Sequence, residues 1–226
     1  MRALVFFLSK TYYIPALLLV LCLAATFIGY VNRKKHIHLR FFPLYASAAA
    51  IQVVITFLLL IYGPPTFRVI NNYSILSFIL IEFFIFYNLL FQLLRNEYFK
   101  KSMKIMQLSF LLFLIFIWID FSPTECIPLS LNIIDSIFMI LPCLFYFNEI
   151  FKAPPSIKLS NQPAFWIIIG FCFMTICTLP FLFLENYFYT NLPKLYNQIC
   201  TLNYVFYCLI FILISKAFLC KPVIYK

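Results

Sequence analysis

Four polar side chains lie within otherwise apolar stretches of this sequence, where a charged or hydrogen-bonding group has few partners. They are Glu82, Asp135, Asn203 and Gln52. An ionisable side chain in hydrocarbon is costly, so it faces the interior of a helix bundle, a partner or water. The four therefore predict a ligand or proton site in a small polar cavity that opens outward. The alternative is that they only form hydrogen bonds between helices and hold a bundle together.

The sequence offers little other chemistry. Its two histidines, His36 and His38, lie in a basic segment without the further ligands that a metal site needs. With three glycines the chain has no glycine-rich phosphate loop, and it has no convergent His, Asp, Ser or Cys groups for catalysis. We therefore expect no enzyme activity, no metal and no cofactor. Cys126 and Cys200 both fall near the predicted outer face, where disulfides persist, and the sequence leaves their pairing open.

The composition excludes a water-soluble domain. Hydrophobic residues make up 65% of the 226 residues, charged residues make up 11%, and the mean hydropathy is +0.99. A soluble domain carries about 25% charged residues, which cover its surface. The chain is therefore predicted to lie in a membrane, with lipids as its first partners.

Seven apolar runs approach or exceed the length that crosses a membrane, which is about 20 residues for a helix. They are continuous and do not alternate as the strands of a membrane barrel do, so they predict helices. We expect an all-α, polytopic protein in which residues 1–226 form one domain of seven transmembrane helices. The predicted helices are Tyr13 to Val31, Phe41 to Tyr62, Ser74 to Leu94, Ile105 to Phe121, Ile133 to Phe151, Ala164 to Leu184, and Tyr196 to Leu219.

The basic residues predict the orientation of these helices. Thirteen of the 17 Lys and Arg residues follow helices 1, 3 and 5 or lie at the end of helix 7 and in the tail. Because positive loops stay on the cytoplasmic side, the N-terminus is predicted outside and the C-terminus in the cytoplasm of an inner (plasma) membrane. The net charge of +10 is explained by anionic head groups, and we expect no nucleic-acid partner.

An internal repeat is suggested by an offset of 120 residues, which superposes helices 1, 2 and 3 on helices 5, 6 and 7. The best local match aligns IHLRFFPLYA, from Ile37, with IKLSNQPAFW, from Ile157, and places Pro43 on Pro163. It predicts two parallel three-helix repeats joined by helix 4, a 3+1+3 arrangement with a site between the halves. In length, helix count and topology the chain resembles the SWEET and PQ-loop proteins, although the Pro-Gln dipeptide of the latter is absent.

A second resemblance covers nearly the whole chain. The segments SNQPAFWIIIG, from Ser160, LRFFPLYA at helix 2, and IEFFIFY around Glu82 resemble small seven-helix membrane proteins of Bacteroidetes. Similar bundles form the membrane input region of some sensor histidine kinases. The sequence up to Lys226 contains no phospho-accepting histidine segment and no ATP-binding domain, so the resemblance implies an input module whose output lies on a separate protein.

These observations favour a sensory or signal-input component that acts on a cytoplasmic partner through its basic inner loops. One alternative is a small-solute or proton-coupled transporter with a site between the two three-helix halves. A second alternative is a structural or assembly subunit without a ligand, for which hydrogen bonds between helices account for all the buried polar residues.

Overall fold

The computed structural model describes residues 13–62, 65–120, 129–152 and 159–220. These residues form seven α-helices and two single-turn 3-10 helices, Ile37–Leu39 and Leu159–Asn161, and no β-strand occurs among them. The α-helices are α1 (Tyr13–Asn32), α2 (Phe42–Tyr62), α3 (Pro65–Leu93), α4 (Glu97–Asp120), α5 (Leu129–Phe151), α6 (Pro163–Asn191) and α7 (Pro193–Leu219).

Six of these helices, all except α2, are long and apolar enough to cross a membrane. The described apolar stretch of α2, Phe42–Leu58, is shorter. The structure is therefore an all-α bundle of apolar helices, compatible with a multi-pass integral membrane protein.

The predicted start of helix 3 is wrong, because α3 begins at Pro65 and not at Ser74. The polar residues before Ser74 interrupt the apolar run without interrupting the helix. Their side chains find partners on α2: Oδ1 of Asn71 accepts hydrogen bonds from Thr56 (3.1 Å) and Gln52 (3.4 Å). The apolar run therefore starts about two turns inside α3, because the residues before it include polar ones that contact α2.

The predicted start of helix 4 is wrong for a similar reason, because α4 begins at Glu97 and not at Ile105. Asn96 caps the helix by accepting the backbone N–H of Tyr98 (2.9 Å), which satisfies a donor at the helix start. Lys100 pairs with Glu97 (2.9 Å) one turn apart, which supports a water-exposed first turn. Three other helices also extend beyond their predicted ends: α5 begins at Leu129, α6 ends at Asn191 and α7 begins at Pro193.

The helices pack in a closed order. α1 packs against α2 and α7, α2 packs against α3, and α6 packs against both α5 and α7, while α3 and α5 close the other side. α4 packs more sparsely against α3 and α5. It is held there by Phe110, which is fully buried and stacks on Phe83 of α3 with ring centroids 4.2 Å apart.

An aromatic layer fills the middle of the bundle. Its members are Tyr45 of α2, Phe86 of α3, Phe171 of α6 and Phe211 of α7, each at most 1% exposed. Tyr45 stacks on Phe211 at 5.8 Å and contacts Phe171 at 5.6 Å, and Phe171 contacts Phe86 at 4.7 Å. Close ring contacts of this kind add packing energy beyond the area they bury, so the layer joins four helices into one core.

A proline inside α5 is compensated by a tyrosine on α3. Pro142 has no backbone N–H, so the carbonyl of Phe138, four residues earlier, loses its helical donor. The hydroxyl of Tyr87 donates to that carbonyl at 2.7 Å. Because an unpaired backbone group is costly in an apolar interior, this bond stabilises both α5 and its contact with α3.

The loops after α1 and α3 lie at one end of the bundle with the last turns of α5 and α7. His38 donates to Oε1 of Gln92 (3.0 Å), near the end of α3, and the ring of His36 packs edge-on against Phe218, near the end of α7. The carboxylate of Glu149, on the last turn of α5, accepts two backbone N–H groups of the α3–α4 loop at 2.8 Å each. We call this end the basic face, and its described basic residues are Arg33, Lys34, Lys35, Arg40, Arg95, Lys100, Lys101, Lys104, Lys152 and Lys216.

Candidate functional site

A cavity of about 310 Å³ lies between α1, α2, α3, α5, α6 and α7. It occupies the part of the bundle away from the basic face, since its wall includes Pro15 and Asn132, which lie in the first turns of α1 and α5. Toward the basic face it ends at Phe211 of the aromatic layer. The structure brings all four residues singled out in the sequence to its wall: Glu82, Asp135, Asn203 and Gln52.

Glu82 is positioned by the aromatic layer. Its side chain is 6% exposed, and Oε1 accepts a hydrogen bond from the hydroxyl of Tyr45 at 3.1 Å. Tyr45 lies in the first turn of α2, where a tyrosine can also serve as an anchor at the membrane interface, yet its ring is fully buried. Tyr45 shares the inward face of α2 with the buried residues Ala46 and Ala49, while Leu44 lies on the exposed face, so helical periodicity turns its ring into the core.

Asp135 and Asn203 present hydrogen-bond acceptors that the described residues leave unused. The Oδ1 atoms of both side chains are buried and have no hydrogen-bond partner among the residues that the structure describes. Asp135 also interacts electrostatically with Glu82, and both carboxyl groups interact with the hydroxyl of Tyr207, which lines the same cavity. Buried polar atoms are almost always paired with protein or water, so these acceptors mark the part of the cavity where water or another hydrogen-bond donor would satisfy them.

Gln52 has the opposite environment. Its amide N–H groups are within hydrogen-bonding distance of Thr56 (3.3 Å) and Asn71 (3.4 Å), and its oxygen accepts a hydrogen bond from the hydroxyl of Ser74. Donor and acceptor are therefore both used within the contact between α2 and α3. Although Gln52 lines the cavity, its hydrogen bonds are those of a residue that joins two helices.

The rest of the wall is mostly apolar. Thr175 and Thr178 of α6 turn their hydroxyls back to their own helix, where they donate to the carbonyls of Phe171 (2.6 Å) and Thr175 (3.3 Å). Such bonds satisfy a hydroxyl without a ligand. The unused acceptors of the described cavity wall are thus concentrated at Asp135 and Asn203.

Sequence reasoning missed three tyrosines, Tyr45, Tyr204 and Tyr207, of which the last two line the cavity. In a chain with 15 tyrosines, residue type gave no signal. The spacing did contain one, because Asn203, Tyr207 and Phe211 are four residues apart and share one face of α7. That face of α7 would have indicated Tyr207, although not Tyr45 or Tyr204.

Two further points concern residues outside this cavity. Cys126 lies outside the described residues, so whether it pairs with Cys200 stays open. The inner polar pair, Asn88 and Gln92, is hydrogen-bonded to itself at 3.0 Å and then to His38. It therefore links α3 to the α1–α2 loop.

The cavity has the composition of a binding site for a small molecule. Such sites are concave and mainly apolar, with a few converging polar groups, and begin at about 300 Å³. Within the described ranges, no group of three or more His, Cys, Asp or Glu side chains is placed to hold a metal ion. The arrangement can hold a hydrogen-bond donor and can exchange protons with two carboxyl groups.

Comparison with known proteins gives no relative for this chain. No family model matches it, and no curated protein and no solved structure matches it.

Proposed function

We propose that this chain is a sensory or signal-input component of the inner membrane, which binds a small solute in the cavity and acts on a separate cytoplasmic partner. The observation that carries the proposal is the pair of buried, unused acceptors on Asp135 and Asn203, which converge with the carboxyl group of Glu82 on one cavity. Packing contacts alone do not require a cavity of this size at the meeting point of six helices.

The proposal takes all seven helices as membrane-spanning, with the N-terminus outside. The 21 residues of α2 extend about 31 Å at 1.5 Å per residue, which is the thickness of the hydrocarbon core. Seven spans bring the loops after α1, α3 and α5 and the end of α7 to one side. That side carries the basic residues and is therefore the cytoplasmic one, so a solute enters from the opposite, outer side.

The packing order supports two related halves, α1–α3 and α5–α7. Each triple packs in series, and the two contacts between the triples, α1 with α7 and α3 with α5, are the pair that a two-fold relation between the halves would exchange. The cavity lies between these triples, and α4 contacts both from outside. This is the place where a repeat of parallel helices puts its site.

A continuous set of contacts supports signal input as the role of that site. Glu82 accepts a hydrogen bond from Tyr45, and Tyr45 stacks on Phe211 of α7. Two turns further along α7, Phe218 lies at the basic face and packs against His36. A ligand that changes the bond between Glu82 and Tyr45 acts on α2 and α7, the two helices that meet the α1–α2 loop.

The test is a photo-crosslinking amino acid placed at Lys34, Lys100 or Lys104 in cells. We expect it to capture a cytoplasmic protein, with a yield that changes when Glu82→Gln is added. Glu185→Gln, the same carboxyl-to-amide change outside the cavity and away from the basic face, is the matched control and should leave crosslinking at Lys34 unchanged. Recovery of lipids alone, or the same yield with and without Glu82→Gln, would contradict the proposal.

A proton-coupled transporter is the second candidate, and the two interacting carboxyl groups of Glu82 and Asp135 favour it. Carboxyl groups that face a cavity at membrane depth are the usual parts of proton relays. Transport requires pH-dependent flux in proteoliposomes that Glu82→Gln abolishes while the fold stays intact. Flux of candidate solutes unchanged by Glu82→Gln removes this candidate and leaves signal input.

A further inference from the structure

We infer that the solute bound in this cavity is an organic ammonium cation with an apolar body. The inference rests on the proposed function, which requires a solute, and adds its chemical class. The first observation is charge. Among the described residues that line the cavity, Glu82 and Asp135 are acidic, and none is Lys, Arg or His. A cavity lined by one sign of charge within low-dielectric walls concentrates ions of the opposite sign.

The second observation is the kind of polar atom that is left unused. Oδ1 of Asp135 and Oδ1 of Asn203 are both acceptors, and both are buried without a partner among the described residues. An ammonium group carries up to three donors and no acceptor, so it satisfies both atoms and a carboxylate at once. An anion would add acceptors to a site that already has too many.

The third observation is the apolar and aromatic part of the wall. Phe78, Tyr204, Tyr207 and Phe211 line the cavity together with aliphatic side chains. The faces of such rings attract a cation, and they replace part of its hydration when water is excluded. A small metal cation would need six or more oxygen ligands, whereas these walls match an organic body attached to the charge.

The size of the cavity sets the size of the ligand. About 310 Å³ is at the lower end of the range for small-molecule sites. We therefore expect a ligand with roughly four to ten carbon atoms around one ammonium group, in keeping with cavities of this class. One cation between Glu82 and Asp135 also relieves the repulsion that two ionised carboxyl groups exert on each other.

The binding test uses two series of probes matched in shape and different in charge. One is tert-butylammonium, tert-butanol and pivalate, and the other is 2-phenylethylammonium, 2-phenylethanol and 3-phenylpropionate. Each is titrated calorimetrically into the full chain in lipid nanodiscs at neutral pH. We expect at least one ammonium member to bind and its neutral and anionic counterparts not to bind. Asp135→Asn should weaken the affinity about ten-fold or more, and Glu149→Gln should leave it unchanged.

A second measurement separates failure of the ligand class from failure of the proposed function. Ser136, which lines the cavity, is replaced with Cys and treated with a trimethylammonium and a sulfonate methanethiosulfonate reagent, with labelling located by mass spectrometry. Relative to free cysteine, we expect the cationic reagent to react about ten-fold faster than the anionic one, and Asp135→Asn to reduce this preference.

The outcomes are distinct. Equal relative rates for the two reagents, or tight binding of a neutral or anionic probe, leave a solute-accessible cavity and overturn the ammonium inference alone. Binding by no member of either series also overturns that inference. Absence of labelling by both reagents in the folded chain, with full labelling after unfolding, shows that solutes do not enter the cavity and overturns the proposed function as well.

Discussion

The substitution Tyr45→Phe tests how much the hydrogen bond between Tyr45 of the aromatic layer and Glu82 of the cavity contributes to stability. It removes one hydroxyl that is 3.1 Å from Oε1 of Glu82 and keeps the ring, which stacks on Phe211 and is fully buried. No cavity is created, so the change in stability reports the hydrogen bond. A neutral bond between membrane helices contributes about 0.6 to 1.7 kcal/mol, and one to a charged group contributes about 1.5 to 3 kcal/mol.

We therefore expect Tyr45→Phe to lower the free energy of unfolding by about 1 to 3 kcal/mol, with the upper part of the range if the Glu82 carboxyl is ionised. The assay is reversible unfolding in lipid bicelles, measured by steric trapping. Tyr98→Phe is the matched control, because Tyr98 is 82% exposed and should tolerate the loss of its hydroxyl.

A double-mutant cycle separates this bond from other effects of the hydroxyl. In a Glu82→Leu background the acceptor is gone, so removal of the Tyr45 hydroxyl should cost nothing or should stabilise the chain, because an unpaired buried hydroxyl is lost. A loss of the same size in both backgrounds would refute the coupling between these two residues. It would also remove the first contact, between Glu82 and Tyr45, of the proposed set of contacts from the cavity to the basic face.

Four further substitutions test the packing and the basic face. Tyr87→Phe should lower the free energy of unfolding by about 1 kcal/mol in the wild type and by less in Pro142→Ala, where a restored backbone N–H satisfies the same carbonyl. Gly29→Ala should cost about 1 to 3 kcal/mol, since its Cβ would lie 2.8 Å from a proline ring. Gly170→Ala, whose new methyl would meet the mobile end of a leucine at 3.0 Å, should cost less in the same unfolding assay. Burial lowers the pKa of His36 below its ordinary 6.5, so the unfolded chain takes up a proton first as the pH falls. The stability that neutral His36 contributes is thus present above about pH 6.5 and is lost below it, and His36→Gln should flatten the thermal stability profile between about pH 7.5 and pH 5.

The apolar helices were predictable because hydropathy and length report burial in lipid directly. The helix ends were less predictable, as α3 and α4 illustrate. Asn71 lies before the predicted apolar run, yet it is inside α3, where Gln52 and Thr56 of α2 supply its hydrogen-bond partners. The length of an apolar segment reports how much of a helix contacts lipid. The helix itself continues beyond that segment for as long as its backbone hydrogen bonds continue.

Polar side chains are energetically unfavourable in contact with lipid, so at membrane depth they face each other or water. This explains why Glu82, Asp135 and Asn203 converge on one cavity. The same rule does not reveal which of them find protein partners. Tyr45 is a case in point, because the sequence offers the same evidence for a tyrosine at the interface as for one in the core. Only the packing of α2 against α6 and α7 decides that its hydroxyl meets Glu82.

The buried polar residues differ in whether the described residues already satisfy their hydrogen bonds. Gln52 uses its donor and its acceptor within the contact between α2 and α3, so it stabilises the bundle whether or not a solute is present. Asp135 and Asn203 have acceptors without a hydrogen-bond partner among the described residues, and both line the cavity. A helix bundle that needed only cohesion would gain by filling that space with apolar side chains. The proposed site for a donor-bearing solute requires such open volume, and it makes binding and stability separable: a solute should stabilise the wild type and not the Asp135→Asn variant.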